Sequence, residues 1–172
     1  VWEQACRLLR QWLDAGRTPF PISVNVSRAD LLRGSVADKL KALIDKYAWT
    51  SDLLRVEITE SADMDNPQQL IIEIQRIREY GFLVEMDDFG SGYSSLNMLK
   101  DISADVLKID MGFLRTSENE VKGQDILESI ISLAGKLGME VITEGVEKNS
   151  QLQMLKMMGC KIFQGFYFSR PI

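Results

Sequence analysis

Short β-branched segments alternate with amphipathic helical stretches along the whole chain, and this rhythm limits the possible folds more than any other feature. Residues 21–27 (PISVNVS), 54–61 (LRVEITES), 82–88 (FLVEMDD), 105–110 (DVLKID), 139–145 (MEVITEG) and 161–168 (KIFQGFYF) predict six strands. Helices are predicted over 2–15, 35–48, 124–137 and 150–158. A further helix opens at Asn66-Pro67 and carries Leu70, Ile71, Ile74 and Ile77 on one face. Gly16, Gly81, Gly138 and Gly159 stand where helices should stop. Strands separated by helices run parallel, with right-handed crossovers.

Two architectures satisfy that pattern: an open doubly wound sheet, or part of a (β/α)₈ barrel. The strand ends favour the barrel. Asn25, Glu57, Asp87, Lys108, Glu144 and Gln164 fall at or near the ends of the six strands, where a plain core would not want them. In a barrel those ends converge on one rim, the face that carries barrel active sites. Six strands are two short of eight, and no closing helix follows the last before Ile172. There is no low-complexity segment, linker or second domain, so residues 1–172 are expected to be one domain. The most loop-like stretch is 115–123.

Composition narrows the chemistry. The chain has no histidine, which removes a Ser-His-Asp triad, a His-ligated zinc site and a His general base. Its net charge of −5 repels long polyanions, so neither DNA nor RNA polymer is an expected ligand. No apolar run approaches the roughly 18 residues of a membrane span. Cys6 and Cys160 form no framework or metal spacing, which suits a reducing cytoplasm.

Adjacent Asp87 and Asp88 close an apolar strand. Taken alone, the pair has two explanations: aspartates that cap backbone N–H groups, or aspartates that bind a cation. Beside Glu57 and Glu144 they would crowd four carboxylates onto one rim, which costs several kcal/mol unless a cation intervenes. Mg²⁺ and Mn²⁺ accept carboxylate and amide oxygens, so Asn25 joins the candidate ligands, and two ions are plausible. Two metals about 4 Å apart are the usual apparatus of phosphoester hydrolysis. Lys108 alone reads as a strand lysine reaching solvent; beside carboxylates it can orient a water or neutralise a phosphoryl group. Gly90-Ser91-Gly92 lacks the third glycine of a dinucleotide fingerprint, so it is expected to be a loop over the metals, anchored by Tyr93 and Leu96.

In order, the motifs VNVS (24–27), EITES (57–61), DDFGSGYSSL (87–96), LKID (107–110), EGVE (144–147) and QGFYFSRP (164–171) resemble the EAL-domain family of cyclic di-GMP phosphodiesterases across the chain. The resemblance implies a modified TIM barrel holding two Mg²⁺ or Mn²⁺ ions. It implies bacterial signalling by hydrolysis of cyclic di-GMP to linear pGpG. By position, Asn25, Glu57, Asp87 and Asp88 match the family's metal ligands. Lys108 and Glu144 match the residues that handle the nucleophilic water, Glu144 as general base, and Gln164 the glutamine beside them. Glu60 and Ser91 match residues that support the loop, with Ser91 in place of the usual Thr. The signature Glu-Ala-Leu, with its ligand glutamate and the following arginine, is not in this sequence, and the first two strands are not either. The expectation is therefore a domain cut at both ends, which taken by itself would show little or no hydrolysis. The resemblance also implies a homodimer and leaves room upstream for a GGDEF, sensor or membrane segment. The alternative is a non-catalytic cyclic di-GMP receptor or interaction module; such members usually lose the aspartates or the lysine, and this chain keeps Asp87, Asp88 and Lys108.

Overall fold

The computed structural model describes residues 1–33, 35–59, 67–90, 99–110, 112 and 120–170. In chain order the elements are α1 (Trp2–Asp14), β1 (Ile22–Val26), α2 (Arg28–Arg33), α3 (Val36–Tyr47), β2 (Leu54–Thr59), α4 (Pro67–Glu79), β3 (Leu83–Phe89), β4 (Val106–Asp110), α5 (Glu120–Lys136), β5 (Glu140–Glu144), α6 (Asn149–Met157) and β6 (Ile162–Phe163). All five strand pairings are parallel, and the six strands lie in the order β1-β2-β3-β4-β5-β6. A doubly wound sheet reverses its order at a switch point. This one never does, so it has the winding of a barrel wall.

The register sorts side chains cleanly by period two. One face carries Val24, Val26, Val56, Ile58, Val84, Met86, Leu107 and Ile109, all buried. These pack in one core with Leu9, Leu40, Ile74, Leu127 and Leu152 from the helices. Full burial of each such side chain is worth about 1.5–3 kcal/mol. The opposite face carries Ser23, Asn25, Arg55, Glu57, Glu85, Asp87, Lys108 and Glu144, with Leu83, Val106 and Ile142 among them. Polar residues crowd the side that an ordinary barrel fills with branched aliphatics.

The expected elements are present, with three differences. Helix α2 was not expected; its signal is Ser27, whose Oγ accepts the Asp30 N–H at 3.2 Å, with Leu31 fully buried behind it. Helix α5 starts at Glu120 rather than 124. The strand expected over 161–168 is only Ile162–Phe163. Backbone crossing explains that. The Gln164 N–H donates to Thr143 O at 2.8 Å, Val146 N–H to Gln164 O at 3.0 Å, and Tyr167 N–H to Val146 O at 3.0 Å. The chain thus turns around Val146 instead of extending.

Gly165 permits this approach: its φ is +153°, and a Cβ would lie 2.2 Å from Val146 O and 2.4 Å from Val146 N. Backbone cannot yield as a side-chain tip can. Gly165→Ala should therefore destabilise the fold by about 1–3 kcal/mol in a denaturant melt, as overpacking does elsewhere. A melt equal to wild type would show that the turn is not as tight as described.

Asn66, Glu60, Ser91, Tyr93 and Leu96 lie outside the described residues, as does 115–119 of the loop-like stretch. No helix among the described residues is long and apolar enough to cross a membrane.

Candidate active site: one lysine among three carboxylates

Strand β3 contains the feature that explains its paired aspartates. Met86 pairs with Leu107 and Phe89 with Ile109, so two residues, Asp87 and Asp88, stand opposite the single residue Lys108. This is a β-bulge. Asp88 carries it at φ 55°, a left-handed conformation that Asp tolerates better than most residues. Without the extra residue, neighbouring aspartates would point to opposite faces.

Lys108 lies at the centre of the site. Its Nζ is 2.6 Å from Glu57 Oε1, 2.9 Å from Glu144 Oε1 and 3.1 Å from Asp87 Oδ1. All four side chains are largely buried, from 9% exposure for Lys108 to 16% for Asp87 and Glu144. They come from four successive strands, β2 to β5. Burial works against the Lys108 ammonium. Its hydrogen bonds to Glu57 and Glu144, the charge of Glu144 and the closeness of Asp87 outweigh that and hold its pKa above the ordinary lysine range. Burial raises the Glu144 carboxyl, against the pull of Lys108 and with help from Asp87 and Glu57. A carboxylate so raised is a better proton acceptor near neutral pH.

The other expected residues are placed less centrally. Asn25 is exposed and stands in register with Glu57, and its carbonyl accepts the Trp2 Nε1–H at 2.9 Å. Gln164 is exposed just past β6. Asp88 is exposed beside Asp87. Glu60 and Ser91 belong to the undescribed segments.

The donors fit a hard divalent cation. All are oxygens, and Asp87 Oδ1 is buried with no hydrogen-bond partner, although Nζ is close by. Among the described residues no ready-made metal cage exists. The reason is visible: the ammonium occupies the position toward which the carboxylate oxygens converge.

A second charged layer was not anticipated from the sequence. Glu85 is 1% exposed, accepts the Ser23 hydroxyl at 2.8 Å, and is bonded by Arg55 Nη1 at 3.0 Å. A signal was there: Arg55 and Glu85 each precede a candidate ligand by two residues, which places them on the same face.

The family model described as EAL domain matches residues 1–171. The cyclic di-GMP phosphodiesterase NbdA of Pseudomonas aeruginosa is 37% identical over 172 residues, which are 100% of this chain and 22% of that protein. The chain spans between about a fifth and a quarter of the curated relatives NbdA, YkoW and MucR. Among solved structures, the PaMucR phosphodiesterase in complex with c-di-GMP superposes with a TM-score of 0.88 at 32% identity, over 99% of this chain and 69% of that one. A Klebsiella pneumoniae BlrP1 calcium/cy-diGMP complex gives 0.84 at 27% identity, over 98% and 42%.

Proposed function

The chain belongs to the EAL domain family, and from that premise we propose that it contributes the catalytic face of a phosphodiesterase that hydrolyses cyclic di-GMP to linear pGpG. The observation that carries the proposal is Lys108 held among Glu57, Asp87 and Glu144 at the ends of consecutive parallel strands. The relatives named for this activity, and the PaMucR complex with c-di-GMP, support the choice of substrate.

Asn25, Glu57, Asp87 and Asp88 would hold two Mg²⁺ or Mn²⁺ ions; the calcium in the BlrP1 complex supports a hard divalent cation. When bound, such ions supply an activated water and charge neutralisation at the phosphate. Glu144 takes the proton of the attacking water, for which its raised pKa suits it. Lys108 faces the negative charge that builds on the phosphoryl oxygens. Gln164 orients the water from the β6 side. The water oxygen bonds to phosphorus as one P–O3′ bond breaks, and the departing O3′ becomes a hydroxyl with the proton that Glu144 took up.

Residues 1–172 are read as one EAL-type unit, working as a homodimer in a bacterial cytoplasm, with GGDEF, sensor or membrane segments outside it. Both free cysteines fit a reducing compartment: they are buried, and burial pushes each thiol up to about 11. The test is incubation with cyclic di-GMP and Mn²⁺ and chromatography of the product. Formation of pGpG is expected from the whole protein that contains this chain. Calorimetric binding of the nucleotide without product would instead establish the non-catalytic receptor.

A further inference from the structure

The charged layer beneath the site has no explanation in packing. On the same face, the place of Glu85 is filled on β4 by its register partner Val106, which is 1% exposed, and the next charge at that level, Glu140 on β5, is exposed. Glu85 is instead a nearly fully buried carboxylate in register with Glu57, and two residues before Asp87. Neighbouring parallel strands are about 4.8 Å apart, so these like charges start close together. They are drawn in opposite directions. Glu57 reaches toward the strand C-termini and Lys108 at 2.6 Å. Glu85 reaches back to Arg55 at 3.0 Å and Ser23 at 2.8 Å.

Stability is a poor reason for this arrangement. A buried ion pair seldom outperforms well-packed apolar residues. Here Arg55 also leaves its Nε buried without a hydrogen-bond partner, a cost that an aliphatic side chain would avoid.

We propose that Arg55 is a positioning residue for the metal-binding carboxylates: it holds Glu85 away from the cluster, so that Asn25, Glu57, Asp87 and Asp88 present oxygens to the ions and Glu85 does not. The inference rests on the metal-dependent function proposed above. Without the guanidinium, Glu85 keeps only the Ser23 hydroxyl. Its charge then turns to the nearest cation site, beside Glu57, and adds an extra ligand there. A site with one ligand too many binds its ion more tightly and holds water and phosphate in the wrong places.

This signature has a sign that partial unfolding cannot imitate. Arg55→Met should bind Mn²⁺ about tenfold more tightly in calorimetry without nucleotide, within the range known for residues behind metal ligands. Its kcat for cyclic di-GMP should fall while KM changes little. Arg55→Lys keeps the charge and should restore most of the wild-type Kd. The double variant Arg55→Met/Glu85→Leu should bring the affinity back to the wild-type value. Where Arg55→Met does not fold, Glu85→Gln tests the same idea with the opposite sign, since an uncompensated guanidinium weakens Mn²⁺ binding. If wild type takes up Mn²⁺ and Arg55→Met has the same or a weaker affinity, this inference is overturned alone. If wild type takes up no Mn²⁺, the metal-dependent function falls, and this inference with it.

Discussion

Asp87→Asn is expected to lower cyclic di-GMP hydrolysis by at least about a hundredfold, since even residues behind a metal ligand are worth 10–100-fold and this is a candidate ligand itself. The fold should not suffer. Three carboxylates share one ammonium, and Asp87 is the one whose Oδ1, 3.1 Å from Nζ, takes no hydrogen bond. Its removal relieves repulsion, so the metal-free Tm should be equal to wild type or higher. Activity and stability therefore move apart, which distinguishes a lost ligand from a damaged fold. Turnover followed by chromatography beside a thermal melt measures both. A variant with activity within tenfold of wild type would sink the assignment of Asp87.

Lys108→Met should do the reverse to stability. The described ion pairs of Glu57, Asp87 and Glu144 all end on Lys108. Without it, buried charges face one another, and losing one partner of a buried pair costs about 3–5 kcal/mol. For a chain of this size that lowers Tm by roughly 10 °C. The loss applies in full at neutral pH. A lysine held above its unfolded pKa contributes stability that is complete below the unfolded value and disappears only as pH rises through the folded one. Added Mn²⁺ should recover more of the Tm in the variant than in wild type, because the cation takes over the neutralising role. Hydrolysis should still fall by about 10²–10³, the usual loss when a transition-state charge partner is removed. A variant that melts with wild type, with or without Mn²⁺, would mean that the carboxylates are not held by Lys108.

Much of this was legible in the sequence, for a physical reason. Strand and helix periods differ, so the alternation of β-branched and amphipathic stretches already predicted parallel strands with helices between them. The barrel winding followed from where Asn25, Glu57, Asp87, Lys108 and Glu144 fell along their strands, and the consecutive sheet order agrees. What sequence could not supply was distance. That one ammonium meets three carboxylates depends on strand stagger and on the bulge at Asp88, and the positive φ there is a tertiary property. The Ser23–Glu85–Arg55 layer was passed over because a charge in mid-strand resembles a surface residue until its neighbours are known. The final strand was overextended because Phe166, Tyr167 and Phe168 look like strand residues, whereas the contact of Gly165 with Val146 turns the chain.

The unbroken order of the strands also has a consequence in time. A chain emerging from the ribosome presents β1, β2 and β3 before β4 exists, and domains begin folding N-terminus first. Glu57 and Asp87 are then already synthesised while Lys108 is still to come, and Glu144 arrives last. The nascent site thus carries two carboxylates before it gains its one ammonium. A half-made chain is where a free divalent ion, or the wrong one, meets the least competition from the lysine.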